Sequence, residues 1–317
     1  MHQWFVPRTS CAAMAVCAAL SAHLIACDAI NNANAQRQRP GRPVHPPPIV
    51  PLRSTSPILQ DVIVPDAPAT PPPVPTAAPT TLARGRWVDS PLGFRTHRAV
   101  VRLADGTEGP WITVRVPVAR LRFGVMRTES DRLASGLRAP NRIAMVAGYF
   151  ERDKQPSGVL EANRVIHGQH HSHAGSGLFV VRDGRARVIA ASSPQSEWAG
   201  SELVVQCGPR LVEAGPTVGV YADRGERFAR AAACIRDGGA TVDFIVTWSS
   251  AEALRGPGLY AFALALAGPS PAGDATGCET ALNLDGGPSA GIHVDGVTEA
   301  SHAPIGPVPW AIVLAPR

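Results

Sequence analysis

The sequence has almost no lysine, no internal repeat and no long apolar stretch beyond its N-terminus. Lys154 is the only lysine among 30 basic residues, and the arginines are scattered along the chain. A nucleic-acid-binding face usually needs a basic patch, so the net charge of +5 does not predict a nucleic-acid partner. No predicted strand leads into a glycine-rich phosphate loop, so no organic cofactor is expected. A divalent cation at Asp285 or Asn283 stays an open alternative.

The N-terminus is predicted to be an export signal. Residues 11–26 form an apolar run that is too short to cross a bilayer, which is typical of a signal peptide. Leu24-Ile25-Ala26-Cys27 resembles a bacterial lipobox, in which Cys27 becomes the lipidated first residue. Ordinary cleavage near residue 35 is the alternative. Residues 1–27 therefore predict an exported protein that is periplasmic, anchored to the membrane only through a lipid, or secreted.

Residues 28–86 are predicted to be a disordered, proline-rich linker. They contain two runs of three prolines, at 46–48 and 71–73, and they show no sustained hydrophobic periodicity. Such a segment cannot bury enough surface to order itself. The chain as a whole is 45% apolar, so the remaining residues, 87–317, are expected to form one folded domain.

This domain is predicted to be α+β and strand-rich, with a mixed or antiparallel sheet and few helices. Asp-Gly pairs supply the positive φ angles of hairpin turns, and four of them separate apolar runs. They are Asp105-Gly106, Asp183-Gly184, Asp237-Gly238 and Asp295-Gly296. Residues 178–181 and 186–189 predict a hairpin, and 111–116 and 241–246 predict two more strands. Apolar spacing over 259–266 predicts a helix.

The segment 281–290 carries the clearest chemical signal. A short apolar strand leads to Asp285, after which two glycines and a proline turn the chain before Ser289. Glycine lets a ligand approach the backbone closely, and a carboxylate there suits acid/base work or the binding of sugar hydroxyls. A plain hairpin turn is the alternative interpretation.

Three other segments place arginine or aromatic residues next to glycine or small residues. Arg210 follows a strand that Gly208-Pro209 interrupts, and Arg230 precedes a run of small residues. Arginine suits bidentate contacts with phosphate oxygens. Tyr149 and Phe150 follow Gly148 and predict either a stacking face for a sugar or core packing.

Taken in order, these segments resemble the phosphodiester glycosidase family over nearly the whole predicted domain. The most specific piece is Asn283-Leu284-Asp285-Gly286-Gly287 followed by Ser289. Three positions depart from the family pattern. Val146 stands where asparagine is common, Pro288 replaces a frequent third glycine, and Cys234 takes a shifted small-residue position. These changes indicate a divergent subfamily.

The resemblance implies a hydrolase that cleaves the glycosidic bond of a sugar-1-phosphodiester in envelope or extracellular glycans such as exopolysaccharide. It implies that Asp285 stabilises the sugar or activates water, and that Arg230, with Arg210, holds the phosphodiester. The candidates for a second carboxylate are Glu151, Asp153 and Asp243. The implied substrate-binding residues are Gly148, Tyr149, Phe150, Gly208, Arg210, Asn283, Gly286, Gly287 and Ser289.

Several alternatives compete with this interpretation. Residues 287–291 match G-x-S-x-G, but a serine hydrolase needs a helix after the serine, and a strand is predicted there. The histidines at 167, 170, 171 and 173 indicate a transition-metal site or, more readily, a solvated loop. A non-catalytic, glycan-binding envelope module is a further alternative, which Val146 and the long linker favour. One disulfide among Cys207, Cys234 and Cys278 is expected with its pairing open, unless all three stay buried thiols.

Overall fold

The computed structural model describes 78–128, 133, 142–215, 217–274 and 276–317. Cys27 and the predicted signal peptide lie outside these residues, as does most of the predicted linker. All strand pairs in the described part are antiparallel, and they form three sheets. The predicted strand-rich α+β class is confirmed.

The largest sheet has nine strands. Its order is β1 (Thr80–Arg84), β3 (Arg95–Arg102), β4 (Glu108–Pro117), β15 (Thr241–Thr247), β14 (Arg230–Arg236), β16 (Thr280–Asn283), β12 (Arg210–Glu213) and β13 (Thr217–Val218), with β2 (Val88–Asp89) paired to β3. Because β1 pairs with β3, the folded part begins before Trp87, and the predicted linker boundary at Arg86 is corrected.

The other two sheets are smaller. The five-stranded sheet runs β10 (Arg185–Ala190), β9 (Gly177–Arg182), β11 (Leu203–Cys207), β7 (Leu160–Ala162) and β8 (Val165–Gly168). The four-stranded sheet runs β17 (Ile292–Val294), β6 (Ile143–Val146), β18 (Trp310–Pro316) and β5 (Leu121–Arg127). The α-helix of the described residues is α1 (Leu259–Ala267), and no helix there is long and apolar enough to span a membrane.

Strand alternation gives the large sheet two buried faces. On β14, Ala231 and Ala233 point into a core shared with the two smaller sheets, while Ala232 and Cys234 pack toward α1. Side chains along a strand alternate between faces, so a strand covered on both sides is apolar throughout. The seven residues of β14 are accordingly all buried.

The local sequence predictions hold where turn chemistry decides the structure. Asp183 and Gly184 both adopt positive φ between β9 and β10, as a tight hairpin requires. Asp237 and Gly238 do the same between β14 and β15. The predicted helix is α1, which is composed of leucine, alanine, tyrosine and phenylalanine and buries residues 261–266.

Two features hold the helix side of the sheet. A disulfide joins Cys234 on β14 to Cys278, which resolves the open pairing and leaves Cys207 buried and unpaired. Asp243 is fully buried between Arg115 at 2.7 Å and Arg236 at 2.6 Å. Both guanidinium groups neutralise this carboxylate, so its prediction as a second catalytic carboxylate is corrected: Asp243 serves the core.

Candidate active site

Backbone hydrogen bonds bring the four predicted segments together. The segment 281–290 lies at the centre, where β14 begins and β16 ends. Asn283 N donates to Pro209 O at 3.0 Å, Asp285 N to Ala147 O at 3.1 Å, and Gly287 N to Ala229 O at 2.7 Å. The turn that carries Asp285 is therefore fixed against the chain beside Gly148, Gly208 and Arg230.

Asn283 and Tyr149 form a polar pair over the Gly208 carbonyl. The Asn283 Nδ2 donates to Gly208 O at 2.9 Å and to Leu284 O at 2.8 Å, and it lies 3.3 Å from the Tyr149 hydroxyl. The Tyr149 hydroxyl also donates to Gly208 O. The buried Asn283 Oδ1 accepts no hydrogen bond from the described residues. An unsatisfied buried acceptor costs about 1–3 kcal/mol, which a hydroxyl donor would remove.

The Asp285 carboxyl has a strongly perturbed environment. Burial raises its pKa to about 6, against the lowering effect of the neighbouring Ser289 side chain and of the hydrogen bond from Gly286 N at 2.9 Å. Among the described residues Asp285 forms no ion pair. A carboxyl with a pKa near neutrality can exchange a proton under physiological conditions.

Arg230 supplies a buried positive charge nearby. It is 6% exposed, and its Nε donates to Pro257 O at 2.9 Å while Nη2 lies 3.4 Å from Glu226 O. Burial lowers the pKa of the guanidinium, and the charge of Glu226 acts against that lowering. Within the described chain Arg230 has carbonyl partners but no carboxylate within ion-pair distance.

Tyr149 lies within electrostatic reach of both charges. Burial raises the pKa of its phenol, and Asp285 contributes to that rise. Tyr149 in turn acts to raise the pKa of Arg230. Backbone hydrogen bonds from Leu284 N to Ala231 O and from Gly287 N to Ala229 O hold Asp285 and Arg230 on adjacent segments, and no ion pair joins them among the described residues.

Two glycines are required by close backbone approach. A Cβ on Gly148 would overlap the carbonyl of Gln206, and one on Gly286 would lie 2.9 Å from Ala229 O. Both positions bring chain segments together directly under the site, where any side chain would force them apart. Gly287 also adopts a positive φ of 59°, which completes the turn after Asp285.

Sequence reasoning missed two residues of this region. The Cys207 thiol is buried, and this burial raises its pKa. The charge of Asp285 raises the pKa further. The Gln206 Oε1 accepts from Val159 N and His171 N, each at 3.1 Å, and so ties the loop after β8 to β11. Their position directly before Gly208 was the signal that could have identified them.

Other predicted site residues lie at the edge or elsewhere. Arg210 is paired with Glu213 at 2.9 Å, so its charge is already neutralised. Phe150 is half-buried, and its backbone forms an isolated β-bridge with Pro156. The remaining carboxylate candidates, Glu151 and Asp153, are both exposed on one tight turn.

The geometry around Ser289 does not form a nucleophile elbow. Its hydroxyl donates to Pro307 O at 2.9 Å, and the chain continues into β17 instead of a helix. His302 stacks on Trp248 with ring centroids 3.8 Å apart, and burial followed by the Arg98 charge lowers its pKa to about 4. The described residues include no group of three or more His, Cys, Asp or Glu that could hold a metal ion.

Fold and site together define a strand-rich α+β domain with a carboxylate-bearing turn beside a buried arginine. A family model described as phosphodiester glycosidase matches residues 140–315. This chain belongs to the phosphodiester glycosidase family, which confirms the resemblance drawn from the motifs.

Solved structures with detectable similarity are distant. The catalytic domain of zebrafish N-acetylglucosamine-1-phosphodiester α-N-acetylglucosaminidase, auto-inhibited by its pro-peptide, has 16% identity and a TM-score of 0.48, covering 76% of this chain and 88% of that one. A hypothetical protein from Synechocystis has 15% identity and a TM-score of 0.45. That alignment covers 70% of this chain but only 62% of the Synechocystis chain. No curated protein sequence matches the chain.

Proposed function

We propose that this protein is an exported hydrolase that cleaves the glycosidic bond of a sugar-1-phosphodiester. One observation carries the proposal: a half-buried carboxyl, Asp285, and a buried guanidinium, Arg230, lie on adjacent backbone segments while neither is ion-paired within the described residues. Keeping unneutralised charges away from water is costly unless a ligand compensates them.

The charges of the transition state match this arrangement. Cleavage between the anomeric carbon and a phosphate oxygen makes the sugar oxocarbenium-like and leaves negative charge on the departing phosphate. Asp285 would face the positive sugar and Arg230 the negative phosphate. Groups fixed in advance toward developing charge are usually the largest catalytic contribution, so the site suits this reaction.

The proposed reaction is a hydrolysis with Asp285 as general base. Water attacks the anomeric carbon, its proton moves to the Asp285 carboxylate, and the bond from that carbon to the phosphate oxygen breaks. The products are a free sugar and a phosphomonoester that keeps the bond electrons. With a pKa of about 6, Asp285 is mostly ionised at neutral pH and can accept the proton.

Sugar binding is assigned to the groups around Asn283. Its Oδ1 would accept a hydrogen bond from a sugar hydroxyl, and Tyr149, held over Gly208, would lie against the sugar. Phosphate is a good leaving group, so the reaction needs less help from a general acid than other glycosidases do. Glu151 and Asp153 stay as candidates for a supporting carboxylate.

A panel of sugar-1-phosphodiesters tests this function, with release of free sugar and phosphomonoester as the readout. We expect Asp285→Asn and Arg230→Ala each to lower kcat/KM at least about a hundred-fold. Arg230→Lys retains the charge without the bidentate fork and separates loss of chemistry from loss of folding. The matched control is Arg182→Ala, an exposed arginine on β9. Wild-type activity in Asp285→Asn would reject the assignment.

Export and lipid anchoring at Cys27 are part of the proposal. The lipobox-like sequence at 24–27 and the polar, proline-rich residues after it support this. In cells that express the full sequence and are fed a palmitate analogue, the processed protein should carry the label, and Cys27→Ala should abolish the label. Labelling that survives the substitution would exclude this anchor.

The second candidate is a glycan-binding module without activity. Val146 favours it, because a buried aliphatic side chain stands where the family commonly has an amide, and it offers no polar contact. Binding of the same panel without release of sugar would support this candidate.

A further inference from the structure

A partly buried ion pair lies next to Arg230, on the hairpin between β3 and β4. The Asp105 side chain is only 5% exposed, and its Oδ2 lies 3.2 Å from the Nε of Arg227. The same oxygen accepts a hydrogen bond from Gly258 N at 2.8 Å. A buried carboxylate needs such partners, because an uncompensated charge away from water is costly. The proposed reaction uses neither charged side chain of this pair directly.

The two carbonyls that hold Arg230 belong to residues next to this pair. Arg230 Nε donates to Pro257 O at 2.9 Å, and Pro257 directly precedes the glycine whose N–H the carboxylate binds. Arg230 Nη2 lies 3.4 Å from Glu226 O, and Arg227 Nη1 lies 3.3 Å from the same oxygen. The two arginines therefore share one acceptor, while the carboxylate fixes the peptide that carries the other.

A single peptide group joins Asp105 to Arg230. The Pro257 carbonyl and the Gly258 N–H belong to one planar trans unit, so their hydrogen bonds point in opposite directions. Asp105 accepts on one side of this peptide, and Arg230 donates on the other. Linked hydrogen bonds polarise one another, and a rotation of the peptide would weaken both of them. The position of the Arg230 guanidinium therefore depends on the Asp105 carboxylate.

Arg227 neutralises this carboxylate beside the site. Its guanidinium packs closely, since a Cβ on Gly258 would lie 2.7 Å from Nη1, and Asp223 holds Nη2 at 2.7 Å. Burial is the main cause that lowers the pKa of Arg230; Arg227 lowers it further, and Asp105 acts to raise it. Both charges of the pair therefore reach Arg230. Without Arg227, the uncompensated carboxylate would attract the Arg230 guanidinium and draw it away from a phosphate.

We propose that Asp105 and Arg227 form a positioning pair that holds the Arg230 guanidinium in place and leaves it open to an anionic ligand. The inference rests on the proposed function, in which Arg230 contacts the phosphate. The pair acts on Arg230 through the Pro257–Gly258 peptide and the Glu226 carbonyl, without touching the substrate. A guanidinium that is fixed in advance loses less freedom when the phosphate binds, and it needs no reorganisation as negative charge develops.

A double-mutant cycle tests whether the pair acts through Arg230. The readout is hydrolysis of the sugar-1-phosphodiester that the full-length wild type turns over fastest. We expect Arg227→Ala to lower kcat/KM about ten-fold, and Arg227→Lys, which keeps a charge beside Asp105, to lose less. The matched control is Arg224→Ala, which removes an exposed arginine three residues away. In the Arg230→Lys background, Arg227→Ala should lower kcat/KM at most about two-fold, because no guanidinium is left to position. Equal losses in both backgrounds would overturn the inference.

The Arg230 side chain gives a second readout that needs no turnover. Its Nε–H can be observed by NMR after arginine-selective ¹⁵N labelling and assigned by its absence in Arg230→Lys. This proton should exchange slowly with water, because the group is buried and donates to Pro257 O. We expect exchange to be about ten-fold faster in Arg227→Ala and unchanged in Arg224→Ala.

The two readouts separate this inference from the proposed function. If the wild type hydrolyses no sugar-1-phosphodiester, the proposed function fails, and the exchange rate alone decides the positioning pair. Faster exchange in Arg227→Ala supports the pair, and unchanged exchange overturns it, with or without activity. If Arg227→Ala does not fold, Arg227→Gln takes its place with the same expected losses, because it removes the charge but keeps much of the packing.

Discussion

Asp285 connects the chemistry of the site to the stability of the protein. Burial raises its folded-state pKa from the ordinary 3.8 to about 6, so the folded protein holds this proton more tightly than the unfolded chain does. Between these two values the folded state binds more protons, and its free energy of unfolding falls as pH rises. Above about pH 6 the carboxyl is ionised in the folded state as well, so the free energy of unfolding has fallen by the whole contribution of this pKa shift.

This linkage predicts the effect of Asp285→Asn on stability. Asparagine keeps the acceptor for Gly286 N but carries no charge, so the variant should be more stable than wild type by up to about 3 kcal/mol above pH 6. The difference should shrink below pH 6 and disappear below about pH 4. Urea unfolding at several pH values measures it. A variant that is destabilised at pH 8 would contradict the assigned environment.

The sequence predicted which segments come together better than it predicted the state of their side chains. Asp285 and Arg230 stand out by motif and turn chemistry, and backbone hydrogen bonds join the segments that carry them. Their roles in catalysis stay a prediction. The pKa of Asp285 was not predictable, because it depends on burial by distant segments. Asp243 shows the same limit, since its two arginine partners lie on β4 and β14.

At the scale of elements, β14 combines site and scaffold. Arg230 begins the strand in the site, and Cys234, farther along it, forms the disulfide with Cys278 just before β16. The disulfide thereby links the strand that carries Arg230 to the segment that leads to Asp285. The hairpins and α1 were predictable because their sequence signals are local. The order of strands in the sheet was not predictable, because β14 pairs with β16, which lies far from it along the chain.

Removing this disulfide should lower the stability of the protein, while the turn and helix sequences that favour the local structure stay unchanged. We expect the Cys234→Ser/Cys278→Ser double variant to lose about 2–4 kcal/mol of unfolding free energy, because the unfolded chain is no longer constrained. Cys207→Ser controls for replacement of a buried thiol. An unchanged denaturation midpoint in the double variant would show that the bond contributes nothing to stability.

At the scale of the whole molecule, the residues that the structure describes form three antiparallel sheets and one α-helix, and the candidate site lies at the end of the central strands. Composition predicted a folded domain behind a proline-rich segment, but it placed the boundary after β1, because Thr80–Arg84 is short and lacks a clear apolar alternation. β1 is held at the edge of the sheet by its pairing with β3. Membership of the phosphodiester glycosidase family was predictable from the sequence, because the motifs that carry it are spread across the domain.

The central claim is that the protein breaks the bond between the anomeric carbon and the phosphate oxygen. Hydrolysis of a sugar-1-phosphodiester in ¹⁸O-labelled water, followed by mass spectrometry of both products, tests it most directly. We predict that the label enters the free sugar and that the phosphomonoester stays unlabelled. Label in the phosphate, or no turnover of any sugar in the panel, would contradict the account.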